Sequence, residues 1–246
     1  MSQTSVRNVG SLLFAVFLAS VSAATASGQA GSFDVAQRGH TVGTASFNFS
    51  ATSDGYDSTS MVQVAMEGLD YSLSKTETLS AANELKHVLL SATINGSAVN
   101  VTAAPDSTQL LVNVSANGRS STARLAGYPA AVFLPDFDPG ALETLLALAV
   151  TRNNRDLWAI IPKQSGSESS SVAPIQLATY ADEQGTENGK PITVHHLVAT
   201  IAGARTDLFS GPENQLLQAE LPQAGFALVR KGFVLTPPAK PQAPAS

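Results

Sequence analysis

The sequence predicts a mostly β protein, a curved antiparallel sheet or half-open barrel with one covering α-helix. Apolar and polar residues alternate over long stretches of the first half of the chain, as they do in strands with one buried face. Dipeptides suited to tight hairpin turns separate these stretches. One segment with helical leucine spacing, near residues 138–152, interrupts the pattern.

The alternating stretches predict an antiparallel meander over residues 33–125. Asn95-Gly96 and Asn117-Gly118 are expected at two of its turns, because both residue types tolerate positive φ. The apolar positions that alternate are Ala45, Phe47, Phe49, Ala51, Val62, Val64, Met66, Leu69, Tyr71, Leu73, Val88, Leu90, Ala92, Ile94, Val99, Val101, Ala103, Leu110, Val112 and Val114.

The helix has a start signal of its own. Asp138 is suited to the N-cap, Pro139 to the first helical position and Glu143 to the first turns. One apolar face is then expected to pack on the sheet. Its members are Leu142, Leu145, Leu146 and Ala149.

Strands are expected to resume after the helix. Leu157–Ile161 and Ile192–Ile201 are predicted strands, and Leu216–Leu221 with Gly225–Leu235 is a predicted closing hairpin. A Ser-rich loop is expected at Gly166–Ser171.

Residues 1–26 are interpreted as a secretory signal peptide. Arg7 precedes an apolar run, Leu12–Val21, and small residues follow at two alternative cleavage sites that end at Ala23 and Ala26. The run is shorter than the ~20 residues of a membrane-spanning helix. Export without a membrane span is therefore expected.

The mature chain is expected to form a single β-rich domain over residues 27–235, followed by a disordered Pro-rich tail over residues 236–246. The chain has no cysteine and a net charge of −5, which favours a bacterial periplasmic or extracellular protein and argues against a nucleic-acid partner. Sequons at Asn48, Asn95 and Asn100, with a fourth at Asn113, are interpreted as ordinary strand and turn residues.

No motif in the sequence is diagnostic of catalysis. His195 and His196 are neighbours on a predicted strand, so they point to opposite faces and cannot chelate one ion together. Asp136 and Asp138 have the D-x-D spacing found in haloacid-dehalogenase-type phosphatases. The prolines on either side and the lack of a following parallel α/β pattern argue against that chemistry. The expectation is a non-enzyme without metal or cofactor, although a hydrolase that uses an unrecognised carboxylate pair remains an alternative.

Two segments carry a resemblance to known proteins. Val35–Phe49, with Gly39 and the Val42-Gly43 step, and the stretch from Thr206–Phe209 through Val229–Phe233 resemble the first hairpin and closing strands of periplasmic lipoprotein carriers and of secreted bacterial β-proteins of unknown function. The resemblance implies a half-open barrel that can hold a fatty or otherwise apolar ligand. It carries over no catalytic residue.

The leading hypothesis is therefore an envelope protein that binds a lipid or another apolar or amphipathic small molecule in the trough of its sheet. An alternative is a structural component that binds an envelope protein partner through the Ser-rich loop and the Pro-rich tail. The residues expected to line the trough are Phe47, Phe49, Leu146, Trp158, Phe226 and Leu228, with Arg230 near its mouth.

Overall fold

The structure, a computed structural model, describes residues 29–163 and 170–237. These residues form a 17-stranded sheet and one α-helix. The elements are β1 (Ala30–Gln37), β2 (His40–Thr52), β3 (Gly55–Met66), β4 (Leu69–Ser80), β5 (Leu85–Ile94), β6 (Ser97–Asp106), β7 (Gln109–Ala116), β8 (Arg119–Ala126), β9 (Ala131–Phe133), α1 (Pro139–Thr151), β10 (Leu157–Ile161), β11 (Ser171–Thr179), β12 (Glu183–Glu187), β13 (Lys190–Ile201), β14 (Ala204–Ser210), β15 (Leu216–Leu221), β16 (Phe226–Arg230) and β17 (Phe233–Leu235).

The sheet curves around the helix without closing. Strands β1 to β8 form the expected antiparallel meander. From β1 the sheet continues through β16, β15, β14, β13, β11 and β10 to β9. The pair β9–β10 is parallel. Among the described residues β8 pairs only with β7 and β9 only with β10, which leaves an open seam between β8 and β9.

Local sequence explains the hairpins. Asn95-Gly96 and Asn117-Gly118 have positive φ at both positions, as a type I′ turn requires. At the β1–β2 pair the register shifts between Val35 and Ala36. Opposite this bulge Gly43 approaches β3 so closely that a Cβ atom there would lie 2.1 Å from the Gln63 carbonyl oxygen.

The helix has the expected N-cap, and its environment corrects one expectation. Asp138 accepts hydrogen bonds from the backbone N–H groups of Gly140 and Ala141, and the helix ends where Asn153 and Asn154 adopt positive φ. The sequence predicted a single apolar face, but Glu143 and Thr144 are also buried, and ten of the thirteen helix residues are buried in all. The reason is that the sheet encloses the helix instead of meeting it on one side only.

The predicted mostly β class, with a curved antiparallel sheet and a single helix, is confirmed. The expected closing hairpin is partly wrong, because β16 pairs with β15 and β1 whereas β17 pairs with β12. The expected signal peptide, most of the Ser-rich loop (166–169) and most of the Pro-rich tail (238–246) lie outside the described residues. No helix among the described residues is long and apolar enough to cross a membrane.

Candidate functional site

Three of the expected trough residues form one cluster. Phe47 packs on Phe33 and Phe49, with ring centroids 6.0 and 5.4 Å apart. The Arg230 guanidinium lies over the Phe33 ring, 5.2 Å from its centroid. Its Nε donates to the Leu216 carbonyl at 2.7 Å. Arg230 therefore links its own strand to β15 through this hydrogen bond, and its guanidinium packs against the aromatic ring of Phe33.

The other expected residues lie elsewhere. Phe226 packs edge-on against Phe137 at 4.8 Å, whereas Trp158 stacks on Tyr128 at 3.7 Å. Leu228 is fully buried in the core. Leu146 lines a small cavity of ≈ 170 Å³ beside the end of the helix. Within the described part of the chain, the seven expected residues thus contact several different parts of the interior.

A different cavity opens at the seam between β8 and β9. This seam cavity has a volume of ≈ 220 Å³ and includes the buried core residues Leu110, Ala131 and Ile160. Its rim is lined by residues from the β6–β7 turn, the end of β8 and the start of β5. The rim residues are Glu84, Leu85, Pro105, Ser107, Thr108, Gln109, Ala126, Gly127, Tyr128 and Pro129.

A charged cluster lies deep in the concave face. The Lys75 ammonium on β4 lies 2.8 Å from Glu77 Oε2 and 2.6 Å from Asp138 Oδ2, and the three side chains are at most 1% exposed. Ser58 and Ser60 face the same cluster from β3, since they pair with Glu77 and Lys75. Their hydroxyls and Glu77 Oε1 have no hydrogen-bond partner among the described residues, which is uncommon for buried polar atoms.

Burial and the neighbouring charges shift the pKa values of Lys75 and Glu77 in this charged cluster. Burial alone would lower the pKa of Lys75, but the charges of Asp138 and Glu77 outweigh burial and raise that pKa above its usual value. Burial raises the pKa of Glu77, and Lys75 offsets this only in part. The Glu77 carboxyl group therefore holds its proton more tightly than an exposed carboxyl group does.

Sequence reasoning missed Lys75 and Glu77 although a signal was present. Both are in phase with Tyr71, Leu73 and Leu79, the inward positions of β4. Charges on the buried phase of a strand are rare unless they are paired. That phase indicated a buried partner, but nothing local indicated that the partner would be Asp138.

A second buried carboxyl group ties the helix to the sheet. Glu143 accepts a hydrogen bond from the Leu216 backbone N–H at 2.8 Å, and Gln29 donates to its other oxygen. Burial raises the pKa of Glu143 to about 7, against the opposing effects of the Leu216 N–H, Arg230 and Gln29. At neutral pH this carboxyl group is therefore partly protonated.

The two adjacent histidines have separate carboxylate partners, as strand alternation implies. His195 contacts Asp182 at 3.0 Å. His196 bridges Glu183 on one ring nitrogen and Asp207 on the other, at 3.1 and 2.9 Å. Arg205 also pairs with Asp207 and lowers its pKa. Within the described part of the chain no group of three or more His, Asp or Glu side chains is arranged to hold a metal ion.

Asp138 serves as the helix cap and as the partner of Lys75, while the backbone carbonyl of Asp136 accepts from the Tyr71 hydroxyl at 3.3 Å. The two aspartates of this segment thus contact different parts of the interior.

The chain matches no protein-family model, no curated protein and no solved structure at a significant level.

Proposed function

We propose that this protein is a non-catalytic, exported bacterial envelope protein that binds an apolar or amphipathic ligand, such as a lipid chain, at the open seam of its sheet. The observation that carries the proposal is the seam cavity. Its walls run from exposed rim residues to the buried side chains of Leu110, Ala131 and Ile160. An apolar group placed there would contact core residues without unfolding the sheet.

Apolar surface continues from this cavity along the inner face of β7 and β8. Leu125 pairs with Leu110 and Ala123 pairs with Val112, so these side chains share the buried phase of the meander. Leu125 and Ala123 are only partly buried, as are Val114 and Ala116 farther along β7. We call Val114, Ala116, Ala123 and Leu125 the inner strip. It gives an extended chain a path beyond the cavity itself.

The size of the cavity limits the ligand. At ≈ 220 Å³ it is smaller than the ~300–1,000 Å³ of typical small-molecule pockets. It would hold one end of an apolar chain, with the remainder on the inner strip. The Tyr128–Trp158 stack, at 3.7 Å, stands beside the entrance, where amphipathic aromatic side chains suit a ligand with one polar end.

The first experiment is native mass spectrometry of the full chain after export to a bacterial periplasm. A discrete added mass that organic solvent removes, and that fragments as a lipid, is expected. Binding is then measured by titration with a fluorescent fatty-chain probe. Absence of both the added mass and probe binding would refute the proposal.

A pair of variants tests the place of binding. Ala126 lies on the rim of the seam cavity, so Ala126→Trp should block it and weaken probe binding at least about tenfold. Ala98 is exposed on β6, on the opposite face from the buried Val99, and Ala98→Trp is the matched control with unchanged binding. Equal affinity of both variants and the wild type would place the ligand elsewhere.

The second candidate is a structural envelope component that binds a protein partner. The observation that favours it is the β8 edge, which is unpaired among the described residues and could accept a strand from another chain. A clean apo mass together with a specific partner, captured by wild type but not by a β8 Thr122→Pro variant, would favour this candidate over ligand binding.

A further inference from the structure

The charged cluster brings an amine and a carboxyl group to reacting distance. Lys75 Nζ lies 2.6 Å from Asp138 Oδ2, although the two residues lie far apart in the sequence. Both side chains are fully enclosed, at 0% exposure. Reactants that are already held in contact lose little entropy on reaction, and this lowers the activation barrier substantially.

The two oxygens of Asp138 have different surroundings. Oδ1 accepts hydrogen bonds from the backbone N–H groups of Gly140 and Ala141, at 2.9 and 3.3 Å. Oδ2 faces Lys75 and accepts no other hydrogen bond from the part of the chain that the structure describes. The first turn of the helix thus forms an oxyanion hole at Oδ1, where negative charge would develop if an amine attacked Cγ. Oδ2 is the oxygen in position to leave.

A proton carrier is also present. Glu77 Oε2 lies 2.8 Å from the same Lys75 nitrogen. Burial raises the pKa of Glu77, so its carboxylate is a stronger base than an exposed one. Glu77 can therefore take a proton from the amine and return it to a leaving oxygen.

We propose that Lys75 and Asp138 condense to an intramolecular amide bond, with Glu77 as the catalytic proton carrier. The ammonium of Lys75 first passes one proton to Asp138 Oδ2, which lies 2.6 Å away, and this transfer leaves a nucleophilic amine beside a carboxylic acid. Nζ then attacks Cγ and forms the new N–C bond. Glu77 carries a second proton from Nζ to Oδ2, the Cγ–Oδ2 bond breaks, and water leaves. The third ammonium proton remains on the amide, so the step needs no other reactant.

The position of this bond gives it a structural purpose. It would join the middle of β4 to the N-cap of α1 and hold the helix in the concave face of the sheet. The chain has no cysteine, so an amide here would provide the covalent tie that a disulfide gives other exported proteins. The inference is independent of ligand binding at the seam cavity.

The test is the mass and peptide map of the purified full-length wild-type chain. The intact mass should be one water below the mass of its sequence. Trypsin should fail to cut after Lys75 and should release a branched peptide that joins residues 39–86 to residues 125–152. A folded protein with the full mass and ordinary cleavage after Lys75, after prolonged incubation at neutral pH, would overturn the proposal.

Three variants test the roles. Asp138→Ala should abolish the link, and Glu77→Gln should slow its formation by at least about a hundredfold. Asp138→Asn should still link, with loss of ammonia in place of water, and so give the same branched peptide. Glu143→Gln, on the same helix but outside the charged cluster, is the matched control and should link like wild type.

A measurement on the denatured protein detects the link even if a variant does not fold. Linked wild-type chain should migrate faster than the Asp138→Ala chain in a denaturing gel after boiling, because a closed loop keeps the unfolded chain compact. Identical migration of the two chains, together with an unbranched wild-type map, would identify the charged cluster as an ion-paired group only.

Discussion

Replacement of Glu143 by Gln tests whether a buried carboxyl group makes the folded protein sensitive to pH. Glu143 is 4% exposed and accepts the Leu216 N–H at 2.8 Å. A Gln side chain keeps an acceptor oxygen for this N–H and removes the charge. The variant therefore mimics the protonated carboxyl group at every pH.

The sign and size of the effect follow from the pKa of Glu143, which burial raises from 4.5 to about 7. A carboxyl group with a higher pKa in the folded state binds protons on folding. Its favourable contribution is therefore complete below pH 4.5 and is lost as the pH rises to about 7. At ~1.36 kcal/mol per pKa unit, the loss is about 3 kcal/mol.

The assay is urea unfolding of wild type and Glu143→Gln at a series of pH values from acid to mildly alkaline. The variant should gain about 3 kcal/mol relative to wild type across this range, because only wild type must ionise a buried carboxyl group. Glu67→Gln, at an exposed turn position, is the matched control and should run parallel to wild type. A constant difference between wild type and Glu143→Gln at all pH values would refute the assignment of this pH dependence to Glu143.

Three further substitutions test the packing. Leu145→Ala, at a fully buried helix position, should lower the free energy of unfolding by about 2–5 kcal/mol, measured by urea denaturation; a loss below about 1 kcal/mol would mean that the helix is not enclosed. Gly43→Ala would place a Cβ atom 2.1 Å from the Gln63 carbonyl oxygen and should cost about 1–3 kcal/mol in the same assay, so unchanged stability would contradict this close approach. His196→Gln removes the bridge between Glu183 and Asp207, so hydrogen exchange should speed up in β12 but not in β5, and unchanged exchange in β12 would contradict the bridging role.

The sequence alone determined the features that depend on neighbouring residues. Period-two alternation identified the strands of the meander, because side chains on a strand face opposite sides in turn. Asn95-Gly96 and Asn117-Gly118 identified turns by their tolerance of positive φ. The cap at Asp138 followed from the same local logic, because an N-cap bonds only to the residues just after it.

Only the tertiary structure decided what the concave face contains. The alternation marked Phe47 as inward and Leu228 was expected in the trough, but the sequence could not show which distant side chains would pack around them. The seam cavity exists because β8 and β9, which are consecutive in the chain, do not pair. Lys75 and Asp138 meet at 2.6 Å because the curved sheet encloses the helix whose first turn Asp138 caps. Contacts between distant segments depend on how the whole sheet curves, and no short stretch of sequence carries that information.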